Sequence, residues 1–282
     1  MKTKILKLTI LFFVILSTLL TIYSIHKISL LLFIIAIQLL TISFIGFLYI
    51  THKNALGETK QLICSRSQKI CDEININYRQ NEALVNLIST LNPRIPFPVM
   101  RGWAASPDFL RELVVNLVES KPKFILETGS GVSTLVIAYA IEKFSLSSRL
   151  ISLENNNTYL EKNLKLLALH GLCKYVDLIY APLVESESSP QNLIWYNLSN
   201  KIIPQEIDML VVDGPPASDN PFARYPAVPL LWGHLNSGCK IFMDDYERSG
   251  EKLVVEKWLK EYKLRINSEA YYDKGFAIIE KL

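Results

Sequence analysis

Two uncharged, strongly apolar segments near the N-terminus limit the structures open to this chain. They cover Leu8–Ile25 and Ile28–Ile50, and only His26 and Lys27 separate them. A helix needs about 20 apolar residues to cross the hydrocarbon core of a bilayer, and each segment has that length. The pattern therefore predicts a transmembrane helical hairpin over residues 1–52.

Basic residues flank the predicted hairpin on both of its outer sides. They are Lys2, Lys4 and Lys7 before the first segment, and Lys53, Lys60, Arg66 and Lys69 after the second. Because Lys and Arg are enriched on the cytoplasmic side of membrane helices, both ends are expected in the cytoplasm. The alternative is a cleaved signal peptide at Met1–Ser24, but no small-residue cleavage site follows Ile22.

Charge and cysteine usage argue against two classes of protein. The chain has 30 basic and 27 acidic residues, and its positive excess lies in residues 1–60, which hold six Lys and one Glu. The remainder is slightly acidic, so a nucleic-acid-binding domain is not expected. The four Cys form no CxxC pair, so neither a zinc site nor a disulfide framework is indicated, and reduced cytosolic thiols are expected.

Residues 53–98 are predicted to connect the hairpin to a folded domain. Apolar residues recur at helical spacing between His52 and Leu91, which indicates a helical stalk and a candidate contact for oligomers. Three prolines within residues 93–98 then end the helix, because proline lacks the amide donor that a helix needs. The folded domain is therefore expected over residues 99–282.

A strand, a glycine turn and a helix follow one another in this domain. The apolar run Phe124–Leu126 leads into Glu127–Gly131, whose sequence is ETGSG, and then into a predicted helix. Such a turn lets the backbone approach a ligand, and Ser133 or Thr134 can cap the helix whose amide end faces that ligand. The arrangement is typical of a nucleotide-type site.

The acids near this turn indicate the charge of the ligand. The third glycine of the dinucleotide fingerprint is replaced by Thr134, and Glu127 stands where an anionic pyrophosphate would lie, so a cationic ligand fits better. Glu154 ends the strand Arg149–Leu153, the usual position of an acceptor for ribose hydroxyls, although a solvated loop acid is the alternative. Ala181 follows the third strand and could border a flat base.

Four successive predicted strands end in carboxylates. The acids are Glu127, Glu154, Asp213 and the pair Asp244-Asp245. In an open α/β sheet the carboxyl ends of parallel strands share one crevice. Asp213, Asp244 and Asp245 would repel one another there unless a cation or protons intervened, so a divalent metal with oxygen ligands is the simplest interpretation. Helix capping by two of these acids is the alternative.

In the order of these motifs, residues 101–282 resemble the class I S-adenosylmethionine (SAM) dependent methyltransferases. The resemblance implies a Rossmann-like α/β fold, in which flanking helices cover a seven-stranded sheet of six parallel strands and one antiparallel strand. The glycine turn would hold the methionine part of SAM, and Glu154 its ribose. The implied cofactor-binding residues are Glu127, Gly129, Gly131, Ser133, Glu154, Ala181 and Asp213.

Residues 207–251 look like the metal-dependent O-methyltransferase branch, which includes catechol-type and macrolide-sugar enzymes. An acid after the fourth strand and the acid pair before Tyr246 carry this likeness. It implies that Asp213, Asp244 and Asp245 bind a metal such as Mg²⁺, and that Asp213 and Asp244 are catalytic. The metal would bind the acceptor hydroxyl and lower its pKa. No residue matches a catalytic base, and the membrane hairpin belongs to neither enzyme type.

The expected function is methylation of a hydroxyl on a small-molecule or lipid-linked glycan acceptor by a membrane-anchored enzyme. The glycan is suggested by location alone. One alternative is an inactive scaffold that keeps the fold. The other is a nicotinamide-dependent oxidoreductase, which Glu127 and the missing third glycine disfavour. The candidates for lining the acceptor pocket are Arg101, Trp103, Trp195, Tyr196, Arg224 and Tyr225.

Overall fold

The computed structural model describes most of the chain in two compact units. The described residues are 2–26, 30–185, 194–199, 203–216, 222–270 and 273–282. The division between the units falls between Glu73 and Ile74. The turn predicted at His26 and Lys27 lies partly outside the described residues. The first helix ends at His26, and Lys27 is not described.

Two helices account for the N-terminal unit. Helix α1 spans Lys2–His26, and helix α2 spans Leu30–Leu91, with its part beyond Glu73 belonging to the second unit. Aromatic rings join the two helices, as in the pair Phe12–Phe44 with ring centroids 5.2 Å apart. Each helix contains an 18-residue segment of membrane-spanning length that is not buried in the protein. The mean hydropathy of this segment is 1.9 in α1 and 2.6 in α2. Both helices are therefore long and apolar enough to cross a membrane.

The second unit begins inside the segment that the sequence assigns to the stalk. Ala83, Leu87 and Leu91, near the end of α2, are buried. Leu87 and Leu91 belong to the same core cluster as the apolar side of helix α3 (Pro107–Ser120). The end of α2 is thus part of the folded domain rather than a free connector, and the compact unit starts well before residue 99.

A seven-stranded sheet forms the centre of the second unit, with two further strands paired beside it. In chain order the strands are β1 (Phe124–Thr128), β2 (Arg149–Glu154), β3 (Val176–Tyr180), β4 (Leu183–Glu185), β5 (Ile194–Tyr196), β6 (Ile207–Val212), β7 (Leu235–Asp244), β8 (Leu264–Ala270) and β9 (Phe276–Lys281). The sheet order is β3-β2-β1-β6-β7-β9-β8, and β4 pairs with β5 separately. Only β9 runs against the other six sheet strands, so the predicted Rossmann-like sheet is confirmed.

Helices cover both faces of this sheet. The remaining helices are α4 (Val132–Lys143), α5 (Asn157–Leu169), α6 (Ala227–Leu231) and α7 (Ser249–Glu261). Successive residues of a strand point to opposite faces, and accordingly Ile125 and Leu126 of β1 belong to two different core clusters. The cluster around Ile125 includes residues of α3, α4 and α5, and the cluster around Leu126 includes residues of α6 and α7. The near-continuous apolar strands follow from this two-sided burial.

The sequence predicts a helix over Ala227–Leu235 and a turn at Asn236-Ser237-Gly238, and this prediction is wrong in part. Helix α6 ends at Leu231, a single 3-10 turn follows, and β7 already begins at Leu235. The residue pairing between β6 and β7 shifts in this region, and Gly238 adopts a φ of 80°. A bulge therefore absorbs the polar residues that resemble a turn in the sequence.

Candidate functional site

The carboxyl ends of β2, β1, β6 and β7 lie side by side, because these four strands are adjacent and parallel. Ligands of open α/β sheets bind at this edge. The structure brings Glu127, Glu154, Asp213 and Asp244 to it, as the sequence predicts.

The glycine turn after β1 packs directly against the end of β6. Gly129 has a φ of 88°, and a Cβ there would stand 2.9 Å from the carbonyl oxygen of Asp213. Only glycine combines this left-handed backbone with so close a contact. Gly131, which precedes the first turn of α4, differs because a Cβ there would meet no described atom within 4 Å. The turn is therefore closed on the side of Asp213 and open beside Gly131.

Glu127 is a fully buried acid at this turn. Its Oε2 accepts hydrogen bonds from Thr134 Oγ1 at 2.5 Å and from Ser152 Oγ at 2.6 Å. Its Oε1 has no hydrogen-bond partner among the described residues. Burial raises the pKa of Glu127 to about 7, even though both hydrogen bonds favour the ionised form. A cation beside Oε1 would stabilise the carboxylate.

Glu154 is held in a fixed orientation at the end of β2. Its Oε2 accepts from the Ser130 hydroxyl at 2.6 Å, and its Oε1 accepts from the backbone N–H of Asn156 at 2.9 Å. The Ser130 backbone N–H also donates to Oε2, at 3.3 Å, so the two lone pairs of Oε2 are occupied and Oε1 keeps one that can accept from a ligand hydroxyl. Ala181 lies next to it and donates its N–H to the Glu154 carbonyl at 2.7 Å, whereas Ser133 is buried in the first turn of α4.

Three acids from two neighbouring strand ends meet beside this turn. One carboxylate oxygen each from Asp213, Asp244 and Asp245 lies within 4.8 Å of the others. Arg224 is buried among them, with Nη2 at 2.7 Å from Asp245 Oδ2 and 3.5 Å from Asp213 Oδ1. Its Nε lies 3.8 Å from Glu251 Oε1, so a fourth acid from α7 joins the same cluster.

This cluster holds more negative than positive charge. Two guanidinium groups, those of Arg224 and the half-exposed Arg248, face the four carboxylates. Neither oxygen of Asp244 has a hydrogen-bond partner among the described residues. Burial and the neighbouring acids raise the pKa of Asp213 well above its usual range and that of Asp244 to about 6, against the opposing effect of Arg224. Protons or one divalent cation would neutralise the excess of two charges.

The candidates for the acceptor pocket divide into three groups. Arg224 and Tyr196 are buried at the site, with Trp195 next to Tyr196 on β5. Arg101 and Trp103 are exposed before α3. The Tyr225 hydroxyl donates to Glu261 on α7 at 2.5 Å rather than into the acid cluster.

Two members of the acid cluster are not predicted from the sequence. In the sequence, Arg224 is only a candidate pocket residue, and Glu251 is not among the predicted site residues. Their ion pairs join segments that are far apart in the chain, and no local pattern encodes such pairs.

Comparisons with known proteins agree with this architecture. Residues 126–246 match a family described as a methyltransferase domain. One similar solved structure is the SAH-bound methyltransferase PaMTH1 of Podospora anserina. Its sequence is 16% identical, the match covers 76% of this chain and 96% of PaMTH1, and the TM-score is 0.53. The O-methyltransferase of Bacillus cereus in complex with SAH has 17% identity, coverage of 72% and 90%, and a TM-score of 0.48. No curated protein matches the chain.

Proposed function

We propose that this chain is a SAM-dependent O-methyltransferase, because residues 126–246 match a family described as a methyltransferase domain and the fold is that of an SAH-bound methyltransferase. The observation that carries the proposal is the buried, unpartnered Oε1 of Glu127 beside the glycine turn. A buried acid of this kind suits a ligand that carries positive charge, and SAM has a sulfonium and an ammonium group. PaMTH1, which has the same fold, binds SAH.

The residues around the turn fit SAM in three respects. The open side of Gly131 leaves room for a ligand against the backbone, which a side chain would fill. Glu127 offers a carboxylate oxygen to a cation, and Glu154 offers the remaining lone pair of Oε1 to a ribose hydroxyl. When bound, SAM supplies an electrophilic methyl group. The contribution of the chain is to hold the sulfonium and the acceptor hydroxyl in line and at near-attack distance.

The acid cluster supports the proposal of a hydroxyl acceptor. Asp213 and Asp244 adjoin the glycine turn through the contact of Gly129 with Asp213. Their raised pKa values make either carboxylate a better proton acceptor than an ordinary aspartate, which is what removal of a hydroxyl proton requires. The same donor set fits a hard divalent cation such as Mg²⁺. Asp213, Asp244 and Asp245 would hold the ion, which would lower the pKa of the acceptor hydroxyl.

Calorimetric titration with SAM, with and without Mg²⁺, tests this function most directly. Saturable SAM binding together with transfer of a radiolabelled methyl group is the expected result. Binding without transfer to any cellular fraction would favour the inactive scaffold. Binding of a nicotinamide dinucleotide and not of SAM would favour the oxidoreductase and overturn the proposal.

We further propose that the enzyme is membrane-anchored, with its catalytic domain in the cytoplasm and a sugar or lipid-linked glycan as acceptor. The two long apolar helices and the basic residues on their flanks support the anchor and its orientation. Membranes incubated with radiolabelled SAM should then gain label in the lipid-linked or polysaccharide fraction. Label confined to soluble small molecules would contradict the glycan acceptor without affecting the methyltransferase activity.

A further inference from the structure

The hydroxyl group of Tyr196 is buried at the site and has no hydrogen-bond partner in the part of the chain that the structure describes. Tyr196 is the last residue of β5, in the small β4–β5 hairpin that lies outside the main sheet, and only 2% of it is exposed. Burial raises the pKa of this phenol well above its usual value of 10, so the group remains a protonated donor.

This hydroxyl lies where β1 and β6 end. A side chain on Gly214 would collide with it, and the same side chain would stand 3.0 Å from the Cα atom of Gly129. The Tyr196 hydroxyl therefore adjoins the backbone junction of Gly129 and Gly214. The charges that act on the phenol are those of the site itself, namely Glu154, Arg224, Asp213 and Glu127.

Within the described residues, the fold gains no hydrogen bond from this hydroxyl. A buried hydroxyl without a partner has lost its hydrogen bonds to water and made none in return, and proteins rarely leave such groups unpaired. A phenylalanine would fill the same space without that cost. Tyr139 provides the contrast, because its buried hydroxyl contacts His170 Nδ1 at 2.7 Å and accepts the Arg94 N–H at 3.1 Å. A ligand bound at the junction would supply the missing partner of Tyr196.

We propose that the Tyr196 hydroxyl binds the carboxylate at the amino acid end of SAM, and that the β4–β5 hairpin serves to place it there. The inference rests on the proposed function. Glu127 attracts the cationic groups of the ligand, and the carboxylate of the ligand needs a donor that carries no negative charge. Tyr196, beside the same glycine turn, is a neutral donor and does not repel an anion.

The test compares Tyr196→Phe with Tyr139→Phe in the full-length protein, by calorimetry with SAM and by thermal melting without ligand. Tyr196→Phe should bind SAM about tenfold more weakly, as expected for the loss of a hydrogen bond to a charged group, and should melt at or above the parent temperature. Tyr139→Phe should melt lower and keep the parent affinity. Binding of 5′-methylthioadenosine, which lacks the amino acid end, should be equal in Tyr196→Phe and the parent.

Three results would overturn the inference. One is equal SAM affinity in Tyr196→Phe and the parent. Another is an equal loss of affinity for 5′-methylthioadenosine, which would move the contact to the nucleoside. The third is a Tyr196→Phe protein that melts lower or does not fold, since the hydroxyl would then serve the fold. A parent protein that fails to bind SAM would instead overturn the proposed function itself.

Discussion

Glu127 is an acid whose charge should respond to the ligand near neutral pH. Its pKa of about 7 means that it gains a proton as the pH falls through neutrality, whereas a cation at Oε1 keeps it ionised. SAM binding should therefore release a proton and tighten about tenfold between pH 6 and pH 8, the range in which a group with this pKa loses its proton.

Calorimetry in buffers of different ionisation enthalpy measures this proton release. Glu127→Gln should bind SAM more weakly at pH 8 and lose most of the pH dependence, because the amide does not titrate. A parent protein with the same affinity at pH 6 and pH 8 would show that no cationic group binds at Oε1.

Substitution of the two glycines of the turn should affect different properties, SAM affinity at Gly131 and stability at Gly129. Gly131→Val adds a side chain where the described structure leaves open space, so we expect a folded protein with SAM affinity reduced by at least tenfold. Gly129→Ala forces a Cβ onto the Asp213 carbonyl at a φ of 88° and should lower the melting temperature itself. Melting curves and calorimetry of both variants separate the effects. Parent-like SAM affinity in Gly131→Val would mean that the ligand lies elsewhere.

The acid cluster allows the metal to be tested apart from SAM. Asp244→Asn removes one of the two excess negative charges and a proposed metal ligand, so turnover should fall by orders of magnitude while SAM affinity stays nearly unchanged. Asp177→Asn, which alters an exposed ion pair with Arg149, is the matched control and should change neither quantity.

Chelation provides the independent measurement for this cluster. Excess chelator should reproduce the loss of turnover, and added Mg²⁺ should restore it. Full activity in chelator would remove the metal from the mechanism and leave Asp213 and Asp244 as candidate proton acceptors.

At the scale of elements, the sequence predicts those strands and helices that a local residue pattern specifies. Strands β1 and β6 are apolar runs that end in acids, and both were placed correctly because burial on two faces requires such runs. Strands β4 and β5 have three residues each, too few for a period to appear, so their hairpin and the position of Tyr196 were not predicted. The ion pairs of Arg224 depend on contacts between distant segments, which a single sequence does not reveal.

The C-terminal end of α2 should contribute to the stability of the domain. Its sequence predicts a helical stalk, and Leu87 is buried in the core cluster that includes α3 and α4. Leu87→Ala should destabilise the domain by about 2–5 kcal/mol, the usual cost of a cavity in a packed core. Val85→Ala on the exposed side of the same helix should cost little. Equal denaturation midpoints for the two variants would show that this part of α2 does not belong to the domain.

At the scale of the molecule, the compact unit that starts at Ile74 contains every residue of the candidate site, so the apolar hairpin should be dispensable for binding. We expect a protein lacking residues 1–52 to be soluble without detergent, to keep its circular dichroism spectrum per domain residue and to bind SAM with parent affinity. A deletion that extends to residue 91 removes Leu87 and Leu91 from the core and should not fold.

Fractionation of cells that produce the two folded forms tests the anchor. The full-length chain should sediment with membranes and resist carbonate extraction, whereas the protein lacking residues 1–52 should remain in the supernatant, because no other described helix is long and apolar enough to cross a bilayer. A shortened protein that is folded but does not bind SAM would show that the hairpin contributes to the site. Membrane association that persists without residues 1–52 would assign the anchor to the domain surface instead.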